Sequence, residues 1–287
     1  MKSNAKKTVS LFQAIELRRS GLVEVIPLLV LAAHEDDETI GASVILQHAS
    51  DCKIVFLTDG APRDRCFWPS LAALTSREKY AEVRRSEAIA ALSVAGVSRK
   101  QVHWLGAVDQ EAISEIVRLV EDFTVLIQRH RPKFIITHSY EGGHPDHDAA
   151  ALVADLALKT SSRNGSPVPE LIEMSSYHAR DGRCVTGEFL PRDDAQELVS
   201  RLTPQELEMK QQMLARYESQ REVLKYFSAG EERFRSAPNY DFSHPPHVGK
   251  LWYECMGWPM NGAHWRELAA DALSHFETKS ALENICG

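Results

Sequence analysis

The sequence lacks the features of a small disulfide-bonded domain and of a membrane-spanning chain. Its five cysteines are widely scattered and form no C-x-x-C pair, so neither a disulfide framework nor a cysteine zinc site is indicated. No run of about 18 apolar residues occurs, and we expect no transmembrane helix. Lys6 and Lys7 before an apolar stretch resemble a secretory signal, but Arg18, Arg19 and Pro27 break that pattern. We therefore predict a protein of the reducing cytoplasm.

Basic residues are too few for a nucleic-acid-binding surface. Lysine and arginine number 33 against 40 acidic residues, which gives a formal net charge of −7. Because phosphate recognition needs a concentrated basic surface, we expect no nucleic-acid partner. The sequence also contains no G-x-S-x-G, P-loop or G-x-G-x-x-G pattern, which removes several competing mechanisms.

Short apolar runs alternate with helix-like segments over residues 1–180. The apolar runs cover residues 27–33, 52–57, 102–105 and 133–138, with a fifth candidate at 171–177. Helical patterns occupy residues 38–48, 76–95, 111–131 and 146–159. This alternation indicates βαβ units and an α/β fold with a mainly parallel sheet flanked by helices. In such a sheet, ligands bind beyond the carboxyl ends of the strands.

The pattern changes after residue 180. An amphipathic helix is predicted at residues 203–227, and residues 228–262 have little helical period and many proline, glycine and aromatic residues. We interpret this second stretch as a cap or lid. The sequence thus predicts a catalytic core at residues 1–180, and a C-terminal helix and cap segment at residues 181–287 that completes the same domain.

Four acidic residues in a row follow the first predicted strand, in the motif A-H-E-D-D-E of residues 33–38. Carboxylates beside a buried strand are costly unless a positive charge neutralises them, and a divalent metal would do so. His34 and Asp37 offer one nitrogen and one oxygen ligand within a single turn, which leaves Asp36 free for other work. The alternative is a solvated acidic turn at a helix N-terminus, where carboxylates are also favourable.

A second motif, G-G-H-P-D-H at residues 142–147, follows the fourth predicted strand. One of His144 and His147 can bind a metal while the other faces the substrate. Asp146 is then free to orient an imidazole or to stabilise its charge. A bare H-x-x-H pattern is weak evidence, because solvated histidines before a helix are common.

Both motifs lie at the carboxyl ends of strands in one parallel sheet, so their side chains can converge. Convergence gives His34, Asp37 and His147 as three protein ligands, the number typical of a catalytic zinc site. Asp36 would then take a proton from water, and His144 would stabilise an oxyanion or protonate the leaving amine. Zinc is the preferred ion, although iron or cobalt would fit the same ligands.

The two motifs together resemble the paired signatures of the PIG-L/LmbE-like family of zinc-dependent de-N-acetylases. Supporting matches are T-D-G at residues 58–60, R-R-S-E at 84–87 and K-Q-Q-M-L-A-R-Y-E-S-Q at 210–220. The resemblance covers roughly residues 28–225 and implies a Rossmann-like fold with one zinc ion per chain. It also implies the same ligands and the same roles for Asp36 and His144 that the chemistry suggests.

One residue departs from the family pattern: Glu35 stands where the family usually has proline, and it places a further negative charge near the metal. Four residues are predicted to bind substrate with less support. Arg84 would hold a sugar hydroxyl, Asp59 would touch the sugar or close a turn, and Tyr140 and His247 would face the substrate. Each has a structural alternative, such as a surface ion pair or a core contact.

These observations predict a zinc-dependent hydrolase that removes an acetyl or other short N-acyl group from an N-acetylglucosamine-type amino sugar or its conjugate. The alternatives are a metal-dependent amide or ester hydrolase for a non-sugar small molecule, and a non-catalytic sugar-binding protein on the same fold. A general base argues against a pure binding protein, which has no need of one. The expected partner is the small-molecule substrate or glycoconjugate, and the sequence leaves a homo-oligomer open.

Overall fold

The computed structural model of the protein describes residues 12, 13, 15, 16, 19, 26–49, 51–71, 74–163 and 167–286, with the side chains of 283–286 excepted. Lys6 and Lys7 of the signal-like N-terminus lie outside these residues. No helix in the described part of the chain is both long enough and apolar enough to cross a bilayer.

A seven-stranded sheet forms the centre of the fold, with strand order β3-β2-β1-β4-β5-β9-β8. The five N-terminal strands of this sheet are parallel: β1 (Pro27–Ala32), β2 (Asp51–Thr58), β3 (Val102–Ala107), β4 (Phe134–His138) and β5 (Glu170–Met174). Two antiparallel strands extend it, β8 (Glu197–Arg201) and β9 (Glu231–Ser236). A separate hairpin pairs β6 (Tyr177–Arg180) with β7 (Arg183–Thr186). The predicted α/β fold with a mainly parallel sheet is confirmed.

Helices flank the sheet, and several begin or end at residues suited to those positions. They are α1 (Asp37–His48), α2 (Arg77–Val94), α3 (Ile116–His130), α4 (Pro145–Arg163), α5 (Pro204–Leu214), α6 (Arg221–Leu224), α7 (Trp252–Cys255) and α8 (Gly262–Cys286). The Ser76 hydroxyl accepts a hydrogen bond from the Lys79 amide and caps α2. Arg131, with φ of 45°, ends α3 directly before Pro132, which cannot continue the helix.

The sheet is buried on both faces, which explains why β1 is a continuous apolar run. Leu29 and Leu31 pack into the core formed with α3, α4 and α8. Leu28 and Val30 point the other way, into the core formed with α1, α2 and α5. A strand covered on both sides has no polar face, so its sequence shows no alternation.

The C-terminal part of the chain differs from the sequence expectation in two places. The predicted helix at residues 203–227 ends at Leu214, and only short helical turns follow it. Residues 228–262 include β9, which pairs with β5 in the central sheet and is therefore not part of a cap. The strand was missed because it carries buried charges: Glu232 pairs with Lys210 at 2.8 Å, and Arg235 pairs with Glu173 at 2.7 Å.

Candidate metal centre and active site

Two neighbouring parallel strands bring the two motifs together. His34 follows β1 and Asp37 is the first residue of α1, while His147 lies in the first turn of α4, shortly after β4. Strands β1 and β4 are hydrogen-bonded to each other in parallel, so their carboxyl ends lie at the same edge of the sheet. The convergence expected from the sequence follows from this pairing.

The side chains of His34, Asp37 and His147 form a compact, buried triad. His34 Nδ1 lies 3.2 Å from Asp37 Oδ2, and His147 Nε2 lies 3.3 Å from Asp37 Oδ1. One ligand atom from each of the three residues lies within 4.8 Å of the others. Two imidazoles and one carboxylate at this spacing are a suitable donor set for a zinc-like divalent cation. The residues present therefore fit the metal that the motifs imply.

The charges of Asp37 and His147 suit metal binding. Burial alone would raise the pKa of Asp37, but His147 and His138 beside it hold that pKa well below its ordinary value. Burial lowers the pKa of His147 to about 3, so its imidazole is neutral at physiological pH. An ionised carboxylate and a neutral imidazole are the protonation states that a metal ligand requires. His34 differs: burial would lower its pKa, but neighbouring carboxylates, chiefly that of Asp109, raise the pKa well above its ordinary value, so a metal would displace a proton from this ring.

His147 is held by residues that the sequence analysis did not select. The His147 ring stacks on the ring of His138 with centroids 3.9 Å apart. Its Nδ1 lies 3.3 Å from the hydroxyl of Ser176, which leaves Nε2 directed at Asp37. Partners of this kind fix the orientation and tautomer of a ligating histidine.

Asp36 lies beside the triad in an unusual backbone conformation. Its φ of 136° is strained for a residue with a side chain, and such strain persists only where the surroundings impose it. The Asp36 amide donates to Glu38 Oε2 at 3.1 Å, and Glu38 in turn accepts a hydrogen bond of 2.6 Å from the Tyr217 hydroxyl. Burial raises the pKa of Asp36 to about 8, against the opposing charge of Arg84, whose Nη1 lies 3.3 Å from Asp36 Oδ2. A carboxylate in this environment accepts a proton readily.

Glu35, the residue that departs from the family pattern, is fully buried. Its Oε1 accepts a hydrogen bond of 2.8 Å from Trp104 Nε1, and its Oε2 lies 3.8 Å from Arg84 Nε. Burial raises the pKa of Glu35 to about 7 despite the positive charge of Arg84. The extra carboxylate therefore makes its close contacts with Arg84 and Trp104.

His144 and Asp146 adjoin the triad from the start of α4. Asp146 Oδ2 lies 3.2 Å from His34 Nε2 and accepts a hydrogen bond from the Gln110 amide at 2.6 Å. The Asp146 amide donates to His144 Nδ1 at 3.0 Å, which makes Nδ1 an acceptor and leaves the proton on Nε2. Burial lowers the pKa of His144, so the ring is neutral with Nε2 as a donor.

Asp109 was not selected from the sequence, although it belongs to this cluster. Its Oδ1 lies 3.2 Å from His34 Nε2 and 3.8 Å from His144 Nε2. Asp109, His34, His144 and Asp146 form a second group of possible ligand atoms that overlaps the triad at His34. The one available signal was its place just after β3, a third parallel strand whose carboxyl end lies at the same edge of the sheet.

The four residues predicted to bind substrate occupy different surroundings. Arg84 is buried against Asp36 and Glu35, as described above. Asp59 pairs with Arg77. Tyr140 donates to the His244 carbonyl at 2.9 Å and packs on Trp265 in the core. His247 and Tyr140 line another cavity, of about 170 Å³, together with Arg192 and Arg235. Of the four, the structure brings only Arg84 into contact with Asp36, and their roles in binding stay predictions.

Comparison with known proteins gives a family and a fold. Residues 29–158 match the model of the PIG-L family, which is described as GlcNAc-PI de-N-acetylase. No curated protein matches the chain at a significant level.

Similar solved structures include the A40926 pseudoaglycone deacetylase Dbv21, at 19% identity and a TM-score of 0.54 over 76% of this chain and 99% of that one. A zinc-inhibited form of the teicoplanin deacetylase Orf2 has 17% identity and a TM-score of 0.51, covering 75% and 99%. The conserved protein TT1542 from Thermus thermophilus has 18% identity and a TM-score of 0.52, covering 76% and 98%. At these low sequence identities, the structural similarity concerns the fold alone.

Proposed function

We propose, from the premise that residues 29–158 belong to the PIG-L family, that the protein is a zinc-dependent N-deacetylase. Its substrate is an N-acetylglucosamine-type amino sugar or a conjugate of one, from which it removes an acetyl or other short N-acyl group. The observation that carries the proposal is the buried triad of His34, Asp37 and His147 with Asp36 directly beside it. A binding protein would need no strained carboxylate at this place.

The triad would hold one divalent cation per chain. When bound, that cation supplies Lewis acidity that polarises an amide carbonyl and strengthens water as a nucleophile near neutral pH. The pKa shifts of Asp37 and His147 favour the protonation states that bind it.

The remaining residues divide the proton transfers between them. Asp36 accepts the proton of the attacking water, since its carboxylate is buried and has a raised pKa. Arg84 holds the Asp36 carboxylate in place through Nη1. His144 carries its proton on Nε2, which lies 3.8 Å from Asp109 Oδ1, and from there it stabilises the developing oxyanion or protonates the leaving amine. Asp146 contacts His34 Nε2 and so fixes the orientation of that imidazole.

We also propose a reducing compartment for the protein. The four cysteines whose side chains are described, Cys52, Cys66, Cys184 and Cys255, are all free thiols. Free thiols in this number are typical of intracellular proteins.

The test measures metal content and acetate release together. Wild type, His147→Ala and the control His275→Ala, an exposed histidine on α8, are compared on N-acetylglucosamine and on glycosidic derivatives of it. We expect about one metal per chain in wild type and in the control, and loss of both metal and activity in His147→Ala. Because a deacetylase of similar fold is described in a zinc-inhibited form, zinc is supplied at one equivalent and not in excess. Absence of bound metal in wild type would refute the proposal. If wild type binds metal but hydrolyses only non-sugar amides, the proposed sugar substrate would be wrong.

A further inference from the structure

A groove of about 320 Å³ adjoins the candidate metal centre. Asp109 lines the groove, and its Oδ1 lies 3.2 Å from His34 Nε2. Trp258 lines it as well, and its ring packs edge-to-face on the ring of His144 with centroids 4.6 Å apart. One end of the groove therefore meets the residues proposed to carry out the reaction.

The wall that contains Trp258 is apolar. Trp258, Pro259 and Met260 follow one another there, and Phe67 packs edge-to-face on Trp258 at 6.0 Å. All three wall residues lie outside residues 29–158, the part that matches the family. Trp258 Nε1 is buried and has no hydrogen-bond partner among the described residues. An aromatic face with one polar handle is common in sites that hold rings of mixed polarity.

Most of the remaining lining, here called the polar wall, is polar and carries net negative charge. Three carboxylates, those of Asp64, Asp109 and Glu111, line it together with a single guanidinium, that of Arg63. Arg63 Nε lies 2.7 Å from Glu111 Oε1, so most of its charge is already compensated. His264 also lines the groove and contacts Glu267 at 3.2 Å. Such a wall repels an anion, whereas hydroxyl groups can donate hydrogen bonds to its carboxylates.

The size of the groove indicates how much of a ligand it holds. A volume of about 320 Å³ corresponds to roughly ten water molecules at about 30 Å³ each. That is enough for one ring with its hydroxyl groups beyond the amino sugar at the metal centre.

We propose that this groove is a second subsite that binds an uncharged sugar ring attached to the amino sugar, and that Trp258 determines this specificity. The inference rests on the proposed deacetylase function and names its substrate class. The ring packs its C–H face on Trp258 and directs hydroxyl groups to Asp64 and Glu111. A phosphate-linked substituent is disfavoured at the same place because the polar wall carries net negative charge.

The test compares wild type with Trp258→Ala on three probes. These are N-acetylglucosamine, an uncharged disaccharide that links N-acetylglucosamine through C1 to galactose, and N-acetylglucosamine 1-phosphate. We expect wild type to have the highest kcat/KM on the disaccharide and the lowest on the phosphate. Trp258→Ala is expected to lose about tenfold or more in kcat/KM on the disaccharide, mainly in KM, beyond any loss on the monosaccharide that follows from its contact with His144. Trp252→Ala, on the same segment but not lining the groove, is the control and should behave as wild type.

A binding measurement separates failure of the subsite from failure of the proposed function. Affinities of the three probes are measured by calorimetry in the Asp36→Asn background, with and without Trp258→Ala. If the disaccharide binds more tightly than the other probes, and this difference in affinity disappears with Trp258→Ala, the subsite is supported. This conclusion holds even if none of the probes is turned over and the proposed deacetylase function fails. Equal weakening on monosaccharide and disaccharide would overturn the subsite, since Trp258 would then act only by supporting His144. Preference for the phosphate would overturn it as well.

Discussion

Trp104 Nε1, on a half-buried side chain, donates a hydrogen bond of 2.8 Å to Oε1 of the fully buried Glu35. The other carboxylate oxygen of Glu35 faces Arg84, which contacts Asp36 in turn. The residue that replaces the usual proline of the family thus links an aromatic side chain on β3 to the proposed general base. Its buried charge is compensated chiefly by Arg84 and interacts also with His34 of the triad.

The first prediction concerns the stability of this link. Glu35→Ala removes the acceptor of the half-buried Trp104 indole, and loss of this hydrogen bond is expected to cost about 1 kcal/mol in the free energy of unfolding. Glu35→Gln keeps an oxygen that can accept the same hydrogen bond, so a smaller loss is expected. Urea denaturation of both variants measures the difference.

A double-mutant cycle provides the control. Trp104→Phe keeps the ring but removes the donor, so combining it with Glu35→Ala should cost less than the sum of the two single changes. Strict additivity would show that the hydrogen bond contributes nothing to stability.

The second prediction concerns Asp36. Asp36→Asn has nearly the same shape and can still contact Arg84, but it cannot accept a proton from water. We expect the deacetylation rate to fall by about 10²–10⁴-fold while the metal content stays at the wild-type value. Steady-state kinetics and metal analysis on the same preparation check both. A variant that keeps most of its rate would show that another group is the base.

The third prediction concerns the hydroxyl that orients His147. Ser176→Ala removes the contact of 3.3 Å to His147 Nδ1, which frees the ring to turn away from the triad. We expect the affinity for zinc to weaken by about 10–100-fold with little change in thermal stability. Competition with a chromogenic chelator measures the affinity.

Ser161 offers a matched control. It is a buried serine on α4 whose hydroxyl has no hydrogen-bond partner among the described residues. Ser161→Ala should bind zinc as wild type does, and the same weakening in both variants would point to a general effect of removing a buried hydroxyl.

The sequence allowed the convergence of His34, Asp37 and His147 to be predicted because each motif is local and both follow neighbouring parallel strands. His34 and Asp37 are separated by two residues, and the pairing of β1 with β4 supplies the one long-range contact required. Asp109 could not be found in the same way, since a single aspartate in a loop forms no pattern of its own.

The C-terminal part was harder to predict because its contacts are set by tertiary structure. Strand β9 has buried charges whose partners lie far away in the sequence, such as Lys210 for Glu232. Among the aromatic residues, Trp265 is in the core, donating to the Pro145 carbonyl, while Trp258 packs on His144. Composition does not distinguish these two tryptophans, since only the packing of the chain decides which of them faces the site.

The fourth prediction concerns the buried ion pair of Lys210 and Glu232. Lys210 Nζ lies 2.8 Å from Glu232 Oε1, and Glu232 also accepts hydrogen bonds from the Ser43 and Val44 amides at 3.0 Å each. Lys210→Met leaves this carboxylate buried without its cation, which is expected to cost about 3–5 kcal/mol in the free energy of unfolding. Lys79→Met, which removes an exposed pair with Glu82, should have little effect in the same urea experiment. Equal, small effects of the two substitutions would show that Glu232 is accessible to water or becomes protonated at no great cost.

The fifth prediction concerns acid stability and Glu206 at the start of α5. Burial alone would raise the pKa of Glu206, but hydrogen bonds from Arg19, the Thr203 amide and His48 lower it to about 2. A carboxyl whose folded-state pKa lies below its ordinary value of 4.5 stabilises the fold fully above that value, and the stabilisation is lost as the pH falls towards 2. Glu206→Gln should therefore be less stable than wild type at pH 7. The difference in the free energy of unfolding between the two proteins, the stability gap, should become steadily smaller below pH 4.5. Urea denaturation at a series of pH values measures this gap, with Glu222→Gln, which removes a surface pair with Lys225, as the control. A gap that stays constant from neutral to acid pH would mean that Glu206 acts through its shape as a helix cap and not through its charge.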